Sequence, residues 1–242
     1  MDKPGKSRSM KALIILPTYN EKENIENIIQ AISNNHPSLD ILVVDDHSPD
    51  GTGEIVDRLA QKHPRLKIIH RSGKLGLGTA YIEGFKYALQ KDYDCVFEMD
   101  ADFSHNPQDL PRLLEEINRY DLVIGSRYIP GGSIVGWGPV RYIISMGGNV
   151  LARWILKLPI QDCTAGFRCY KTRILKELPL DEISSEGYGF QVEILFHCHL
   201  KGFSIKEIPI TFTDRQVGQS KMNKKIVIEA FKRLIQLRRK HF

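Results

Sequence analysis

Three short apolar runs in the first half of the chain each lead into a loop that carries acidic residues. Residues 12–16 run into Pro-Thr-Tyr-Asn-Glu, residues 41–44 run into two aspartates, and residues 95–99 run into Asp-Ala-Asp. Apolar runs of this length are typical of buried strands. In an open α/β sheet, ligands bind at the carboxyl ends of the strands, so acidic residues at three successive strand ends predict a ligand site there.

The third of these loops contains the strongest candidate for a metal site, the pair Asp100 and Asp102. Two carboxylates one residue apart, where a strand gives way to a loop, can share a hard divalent cation whose other ligands are phosphate oxygens. An isolated Asp-x-Asp would more often be a solvated turn. The two other acidic strand ends favour a functional site.

Predicted strands and helices alternate along the first 126 residues, and the order is less regular afterwards. The predicted strands are residues 12–16, 41–44, 66–69, 95–99, 122–125 and 205–212, and the predicted helices are residues 23–33, 54–62, a stretch ending near 90, a stretch after Pro107, residues 140–158 and residues 190–200. Strands that alternate with helices of about 10–15 residues indicate parallel βαβ units with right-handed crossovers. We therefore expect an α/β fold with a mostly parallel central sheet flanked by helices.

The length of 242 residues allows one large domain or two small ones. The sequence shows neither an internal repeat nor a low-complexity linker, which favours one domain. We expect a flexible N-terminus over residues 1–10, a single catalytic domain over residues 11–220 and a basic amphipathic helix over residues 221–242.

The four cysteines form no C-x-x-C pair, and one of them, Cys95, lies inside a predicted strand. This usage indicates reduced, packing cysteines in a cytosolic setting. The sequence also lacks a recognisable signal peptide and an apolar run of the roughly 18 residues that a membrane-spanning helix needs.

The net charge of +5 is concentrated at the C-terminus. Residues 221–242 hold eight Lys and Arg against one Glu, which gives +7 and leaves −2 for the rest of the chain. A protein that binds nucleic acid over its whole surface would not show this distribution, so nucleic acid is not an expected partner.

The basic C-terminal segment has two interpretations. At helical spacing, one stripe contains polar residues and the opposite stripe apolar ones: Lys225, Glu229, Lys232, Gln236 and Arg239 against Val227, Ala230, Phe231, Leu234 and Ile235. Such a helix could lie on an anionic membrane surface. It could equally pack its apolar side on the domain.

Two other patterns are weak. Gly76-x-Gly78 lacks the third glycine of a dinucleotide-binding loop, since Tyr81 stands in its place, and a tight turn that opens a helix is at least as good an interpretation. Glu193 and His197 have a metal-ligand spacing, but a buried helix with an incidental histidine is the better interpretation. A P-loop motif is absent from the sequence.

Several short motifs occur in an order that resembles a known family. They are Pro17-Thr-Tyr-Asn-Glu21, Val44-Asp-Asp46, Ser48-Pro-Asp-Gly51, Leu75-Gly-Leu-Gly-Thr-Ala-Tyr81, Asp100-Ala-Asp102, Gly125-Ser-Arg-Tyr128, Gly166-Phe-Arg168 and Gly218-Gln-Ser-Lys221. The chain resembles the family-2 glycosyltransferases of the Rossmann-like GT-A fold, and among them the dolichol-phosphate (polyprenol-phosphate) mannose synthases, from about residue 11 to residue 235.

This resemblance implies transfer of mannose from GDP-mannose to the phosphate of a polyprenol, either dolichyl or undecaprenyl phosphate, with inversion at the anomeric carbon. It also implies dependence on Mg²⁺ or Mn²⁺. The implied location is peripheral, on the cytosolic face of a membrane, with a small membrane subunit as a further partner.

The resemblance also assigns roles to individual residues. Pro17, Tyr19, Glu21, Val44 and Asp46 would cradle the guanosine, and Arg215 and Lys221 would clamp its phosphates. Arg127, Arg141 and Ser145 would hold the acceptor phosphate, while Asp100, Ala101, Asp102 and Arg168 would line the metal and donor site. Arg141 could instead be an ordinary arginine at a helix start, and Arg168 could form a structural salt bridge.

The sequence departs from the family pattern at two places. Many relatives carry Gln where this chain has Ser104, which leaves the third metal ligand open, and many add C-terminal membrane helices. Two rival functions also stay open: a related transferase that uses UDP-glucose or another nucleotide sugar, and a non-catalytic nucleotide-sugar-binding regulatory subunit.

Overall fold

The computed structural model of the chain describes residues 10–183, 185, 187–214 and 234–239. The strands are β1 (Ala12–Thr18), β2 (Asp40–Asp45), β3 (Leu66–His70), β4 (Cys95–Glu98), β5 (Leu122–Ser126), β6 (Ser133–Val135), β7 (Arg168–Lys171), β8 (Ile205–Pro209) and β9 (Thr211–Thr213). The helices are α1 (Ile25–Asn35), α2 (Thr52–Ala60), α3 (Leu77–Gln90), α4 (Leu110–Glu116), α5 (Pro139–Leu156), α6 (Thr172–Leu175) and α7 (Tyr188–Leu200), with a 3₁₀ turn at Pro107–Asp109.

The main sheet has the strand order β3-β2-β1-β4-β7-β5-β8. Neighbouring strands from β3 to β4 are parallel, as are β5 and β8, and only β7 runs antiparallel between β4 and β5. A small parallel pair, β6 and β9, lies apart from this sheet. The expected α/β architecture with a mostly parallel sheet and flanking helices is confirmed.

The topology brings the three acidic strand ends together. From β1 the chain moves outward to β2 and β3 and then returns to place β4 on the other side of β1. The parallel register sets Thr18 beside Asp45 and Ile15 beside Glu98, so the loops after β1, β2 and β4 meet at one edge. A reversal of strand order is where open α/β sheets bind their ligands.

Two apolar layers cover the sheet, one on each face. Along β1, Leu13 and Ile15 point into the layer that contains α3 and α7, and Ile14 and Leu16 point into the layer that contains α1 and α4. This alternation follows from the two-residue period of a strand, and it explains why β1 is apolar throughout. Helix α3 approaches the sheet closely, because a Cβ added at Gly84 would lie 2.7 Å from Ile15 Cδ1.

The structure differs from the sequence prediction at the second half of the sheet. Residues 168–171 form β7, which was not predicted, and the predicted final strand is divided into β8 and β9 at Ile210. The strand that leads to the Asp-Ala-Asp motif ends at Glu98, so both aspartates lie in the loop after it.

The structure describes six residues of the predicted C-terminal helix. Residues 234–239 are helical, and Leu234 and Leu237 are buried in the core layer that includes Ile155 and Leu156 of α5. Arg238 Nη1 donates a hydrogen bond to the carbonyl of Ile155. Over these residues the apolar side packs on the domain, whereas the rest of the predicted helix and the predicted N-terminus over residues 1–9 lie outside the described residues. None of the described helices combines the length and the apolar character that a bilayer-spanning segment requires.

Candidate functional site

A cleft of about 440 Å³ opens at the edge where the three acidic loops meet. Its volume is typical of sites for small molecules. Its walls carry five acidic and three basic side chains besides apolar ones. The acidic residues are Glu21, Asp46, Asp100, Asp102 and Asp214, and the basic residues are Lys74, Arg127 and Arg141.

The loop after β1 forms the wall expected to meet a nucleoside. Pro17, Tyr19 and Glu21 all line the cleft. The Lys74 ammonium lies 3.8 Å from the centroid of the Tyr19 ring, a cation–π contact, and the Asn24 amide donates a 2.9 Å hydrogen bond to Glu21 Oε2. These contacts fix the orientation of an aromatic face and a carboxylate beside the opening.

Asp46 lines the cleft but also holds the neighbouring loop. Its carboxylate pairs with Arg71 at 2.5 Å and accepts hydrogen bonds from the backbone N–H groups of Leu75 (3.1 Å) and Gly76 (2.8 Å). Val44, predicted beside it, is fully buried in the sheet and does not line the cleft.

The Gly76-x-Gly78 turn has structural reasons for both glycines. Gly76 has a φ of +99°, a backbone conformation that residues other than glycine rarely adopt. A Cβ at Gly78 would lie 2.9 Å from the Phe190 ring and 3.0 Å from the carbonyl of Ser185. The turn that opens α3 explains this motif.

Asp100 and Asp102 both line the cleft, as the sequence predicted. The Asp100 side chain is 36% exposed, and Tyr81 Oη lies 3.4 Å from its Oδ1. Asp102 Oδ1 accepts a 3.0 Å hydrogen bond from the Ser104 N–H. The Ser104 hydroxyl also faces this region, and it is buried without a hydrogen-bond partner among the described residues.

A buried histidine supports the backbone of the Asp-Ala-Asp loop. His105 Nδ1 accepts a 3.1 Å hydrogen bond from the Asp100 N–H, and its ring stacks on Phe167 with centroids 5.1 Å apart. Burial lowers the pKa of His105 to about 4, so the imidazole is neutral at pH 7. Ala101 is buried in the middle of the loop and does not line the cleft.

The oxygen atoms that this loop offers as metal ligands fit a hard divalent cation that is also bound by phosphate oxygens. Two carboxylates and one buried hydroxyl are the oxygen ligands that Mg²⁺ and Mn²⁺ accept. In the part of the chain that the structure describes, no group of three or more His, Cys, Asp and Glu side chains could hold a metal on its own. A cation here would therefore need ligand or water oxygens to complete its shell.

Arg127 also lines the cleft, and a buried carboxylate holds it in place. Its Nε and Nη2 each donate a 2.7 Å hydrogen bond to Asp162, and Nη2 also donates to Thr164 Oγ1 at 2.8 Å. The Asp162 side chain is completely buried. The fork geometry fixes the guanidinium plane and leaves little freedom for it to move.

Arg141 and Ser145, both on α5, approach the same region. Arg141 Nη1 donates to both carboxylate oxygens of Asp214 at 2.8 and 2.9 Å. The Trp137 ring lies against both arginines, with centroid distances of 4.2 Å to Arg141 and 5.5 Å to Arg127. Ser145 Oγ accepts a 2.9 Å hydrogen bond from the Tyr128 hydroxyl, but it is not among the residues that line the cleft.

Arg168 does not reach the cleft. It is fully buried at the start of β7 and donates hydrogen bonds to the backbone carbonyls of Ala165 (2.7 Å), Cys163 (2.8 Å) and Gln191 (2.9 Å). Beside it, burial raises the pKa of the Glu98 carboxyl to about 7. These contacts favour the structural interpretation of Arg168 over a role in binding the donor. Arg215 and Lys221 lie outside the described residues.

Sequence reasoning missed Gln191, which enters the cleft from α7. The residue is 2% exposed, and its side-chain amide lies against the buried Glu98 carboxyl. A buried amide needs such a polar neighbour, and it can also offer a hydrogen bond to a ligand in the cleft. The only signal in the sequence was a glutamine inside the apolar run that follows Phe190.

Comparison with known proteins agrees with this arrangement. The sequence profile of Glycosyl transferase family 2 matches residues 13–179. The undecaprenyl-phosphate mannosyltransferase of Micrococcus luteus is 48% identical over 221 residues, which cover 91% of this chain and 91% of that protein. The polyprenol monophosphomannose synthase of Mycolicibacterium smegmatis is 44% identical over 224 residues, which cover 92% of this chain and 84% of that protein.

A solved structure shares the fold. Glucosyl-3-phosphoglycerate synthase from Mycobacterium tuberculosis, in complex with Mn²⁺, uridine diphosphate and glucosyl-3-phosphoglycerate, superposes with a TM-score of 0.66 at 18% identity. The superposition covers 98% of this chain and 84% of that one, which agrees with the expected GT-A architecture. The family profile over residues 13–179 and the two relatives above 40% identity show that the chain belongs to glycosyl transferase family 2.

Proposed function

We propose that this protein transfers mannose from GDP-mannose to the phosphate of a polyprenol, giving polyprenyl phosphate mannose with inversion at the anomeric carbon. The observation that carries the proposal is a single cleft that is lined both by a carboxylate pair, Asp100 and Asp102, and by a pair of arginines, Arg127 and Arg141. The names of the two relatives, which are mannosyltransferases with polyprenyl acceptors, support the choice of sugar and acceptor.

The carboxylate side would serve the donor diphosphate. Asp100 and Asp102 would hold Mg²⁺ or Mn²⁺, and the bound ion would offset the negative charge that grows on the diphosphate as the glycosidic bond breaks. His105 would keep the Asp100 backbone in place by accepting its N–H, and the Ser104 hydroxyl would supply a further oxygen near the ion. Arg215 and Lys221 would clamp the phosphates from the residues beyond Asp214.

The wall formed by the first two loops would bind the nucleoside. Pro17, Tyr19 and Glu21 would contact the guanosine, and Asp46 would shape the pocket by holding the 74–78 turn. The Tyr19 ring offers a flat apolar face for a base, and Glu21 offers a hydrogen-bond acceptor that Asn24 orients.

The arginine side would serve the acceptor. A phosphate monoester has a second pKa of about 6, so at pH 7 it is mostly the dianion and can attack without a general base. The protein's task is then to hold two anions close together in the correct orientation, which needs fixed cations. Arg127, locked by Asp162, and Arg141, held by Asp214, would provide them, with Ser145 and Tyr128 alongside.

We place the protein at the cytosolic face of a membrane as a peripheral enzyme, because its acceptor would stay in the bilayer. A small membrane subunit would be a further partner, and nucleic acid would not.

A transfer assay with two donors tests this function. The protein is incubated with Mn²⁺, polyprenyl phosphate in vesicles and either radiolabelled GDP-mannose or radiolabelled UDP-glucose, and label is counted in the organic phase. We expect organic-phase label from GDP-mannose. If only UDP-glucose gave organic-phase label, UDP-glucose and not GDP-mannose would be the donor. Calorimetric binding of a donor without any turnover would indicate a non-catalytic regulatory subunit.

A further inference from the structure

Asn149 is the first buried residue along helix α5. It is 2% exposed, and the other buried residues of the helix all come after it. The residues before it, 139–148, include Arg141 and Ser145, and within the part of the chain that the structure describes they are all exposed or half-buried. Asparagine has a low helix propensity, so its place inside this helix calls for a tertiary reason.

The side-chain amide of Asn149 ties the helix to the loop before β7. Its Nδ2 donates a 3.1 Å hydrogen bond to Thr164 Oγ1, and its Oδ1 accepts a 3.2 Å hydrogen bond from the Thr164 N–H. Nδ2 also donates to the carbonyl of Ser145 at 3.0 Å, one turn earlier in α5. The amide nitrogen and the amide oxygen are therefore both engaged, and only one orientation of the side chain makes all three bonds.

Thr164 carries this contact on to Arg127. Thr164 Oγ1 accepts a hydrogen bond from Arg127 Nη2 at 2.8 Å as well as the one from Asn149. Asp162, in the same loop, accepts from the backbone N–H, the Nε and the Nη2 of Arg127. A hydroxyl oxygen has two lone pairs, so Thr164 can serve both donors. Arg127, which follows β5, and helix α5 are therefore joined through one threonine.

Asn149 lies on the same side of α5 as the two residues proposed to hold the acceptor. Arg141, Ser145 and Asn149 are spaced four apart, which places them one above another on a helix. The other contacts on this side lie nearer the surface: Arg141 pairs with the partly exposed Asp214, and Ser145 accepts a hydrogen bond from the half-buried Tyr128. Asn149 is therefore the buried anchor of this side of the helix.

We propose that Asn149 is a positioning residue, which sets Arg141 and Ser145 at the distance from Arg127 that a single phosphate group can bridge. The proposal rests on the function proposed above and names a further residue on which that function depends. An error of about 1 Å in the placement of a reacting group can cost about a hundredfold in rate. Asn149 itself is not among the residues that line the cleft, so it acts through the residues that it holds.

Trp137 brings the two guanidinium groups together but does not fix their spacing. Its ring centroid lies 4.2 Å from the Arg141 guanidinium and 5.5 Å from that of Arg127. A cation within about 6 Å of an aromatic face is attracted to it, yet stacking alone lets the guanidinium slide across the ring. Hydrogen bonds have preferred distances and angles, so the contact between Asn149 and Thr164 supplies the fixed geometry that stacking lacks.

Asn149→Ala tests the positioning role, with Asn118→Ala as the matched control. The Asn118 amide also donates to helix carbonyls behind it, those of Leu114 and Glu115, but the residue is exposed. With geranyl phosphate as a short acceptor, kcat/KM should fall by about tenfold to a hundredfold for Asn149→Ala, while the KM for GDP-mannose stays within about twofold. The control should stay within about twofold in both. A lower melting temperature with unchanged kinetics would show a merely stabilising asparagine and overturn the proposal.

A double-mutant cycle tests whether Asn149 acts through Thr164. Thr164→Val keeps the shape of the side chain and removes the hydroxyl that accepts from both Asn149 and Arg127. If the contact works as one unit, Asn149→Ala should cost at most about twofold more in kcat/KM when Thr164→Val is already present, because effects within one hydrogen-bond network are not additive. Losses that multiply in full would mean that the two residues act separately, and the proposal would fall.

Calorimetry separates this proposal from the proposed function and guards against misfolded variants. Geranyl phosphate is titrated into each protein with GDP and Mn²⁺ present, so that no transfer can occur. Asn149→Ala, and the milder Asn149→Ser, whose hydroxyl bonds back to its own helix, should bind it about tenfold or more weakly. Both should bind GDP within about twofold of the wild type, which shows that they are folded.

The possible results of this titration are distinct. If the wild type bound geranyl phosphate but transferred no mannose to it, the proposed function would fail, and the binding data would still decide the role of Asn149. Unchanged affinity of the Asn149 variants for geranyl phosphate, an equal loss of affinity for GDP, or no binding of geranyl phosphate by the wild type would each overturn the proposal.

Discussion

Each charged side chain in the cleft is held in place by a named neighbour. Asp162 fixes Arg127, Asp214 pairs with Arg141, and the Asp100 backbone is tied to His105. Fixed charges stabilise a reacting anion well because they need no reorganisation when the charge develops. At the residue scale, the proposed function therefore predicts that removing a single charge reduces turnover without unfolding the protein.

Asp102→Asn keeps the shape of the side chain but removes the negative charge that a cation would need. Transfer should fall by at least about a hundredfold, the scale expected for the loss of one preorganised electrostatic group. The measurement is the initial rate over a series of Mn²⁺ concentrations. The control is Asp92→Asn, which makes the same change at an exposed position in a turn. Near-wild-type turnover of Asp102→Asn at saturating Mn²⁺ would exclude the metal assignment.

Arg141→Gln tests the division between donor and acceptor sides. The apparent KM for a water-soluble acceptor should rise or turnover should fall, while GDP binding measured by calorimetry should change little. Stability should change by no more than about 1 kcal/mol, because the Arg141–Asp214 pair is partly exposed. Arg112→Gln, in a surface pair on α4, is the control. A loss of GDP affinity with normal dependence on the acceptor would move Arg141 to the donor side.

Glu98 predicts a pH dependence of stability. Its pKa is raised from about 4.5 to about 7 by burial, so between these values the folded protein retains a proton that the unfolded chain has released. Stability should therefore fall as the pH rises from about 4.5 to 7. Glu98→Gln, which cannot titrate, should show a smaller fall in thermal melts across this range, whereas the exposed Glu23→Gln should follow the wild type. Identical pH profiles for Glu98→Gln and the wild type would contradict this account.

At the scale of single elements, the site depends on how closely α3 packs on the sheet. Gly84 faces Ile15 of β1, and Ile15 stands beside Glu98 at the end of β4. Movement of α3 away from the sheet would therefore disturb the strands that lead into the first and third acidic loops.

Gly84→Ala should destabilise the protein by about 1–3 kcal/mol, because the added methyl would overlap Ile15 in a packed core. Gly147→Ala is the matched change on α5, where a Cβ would meet nothing within 4 Å. It should be neutral or stabilising by up to about 1 kcal/mol, the difference in helix propensity. Urea unfolding of both variants measures the two effects, and equal stability changes would mean that α3 does not pack as described.

The elements also show how far the sequence could predict the structure. Strands β1, β2, β4 and β5 are apolar runs that are buried on both faces, so their composition alone predicted them, and with them the position of the acidic loops. Strand β3 lies at the edge of the sheet and is only partly buried. Strand β7 was missed because its first residue, Arg168, looked like a site residue. Its charge is satisfied by carbonyls of Ala165, Cys163 and Gln191, and such a tertiary arrangement leaves no periodic signal. Gln191 was missed for the same reason.

At the scale of the whole molecule, the Asp100–Asp102 loop and the two arginines beside Trp137 line one cleft at the edge where the three acidic loops meet. The proposed function needs both groups in one place, because a donor diphosphate and an acceptor phosphate must meet there. From the sequence, the basic C-terminal segment could either lie on a membrane surface or pack its apolar side on the domain. Its described part, residues 234–239, packs on the domain through Leu234 and Leu237.

The most direct test of the central claim is the stoichiometry of the transfer itself. Wild-type protein is incubated with unlabelled GDP-mannose, Mn²⁺ and undecaprenyl phosphate in vesicles, and both GDP and the lipid product are quantified by mass spectrometry. We predict one polyprenyl phosphate hexose for each GDP released, and neither product from the Asp102→Asn variant. Release of GDP without a mannosylated lipid, or transfer from UDP-glucose but not from GDP-mannose, would contradict the account.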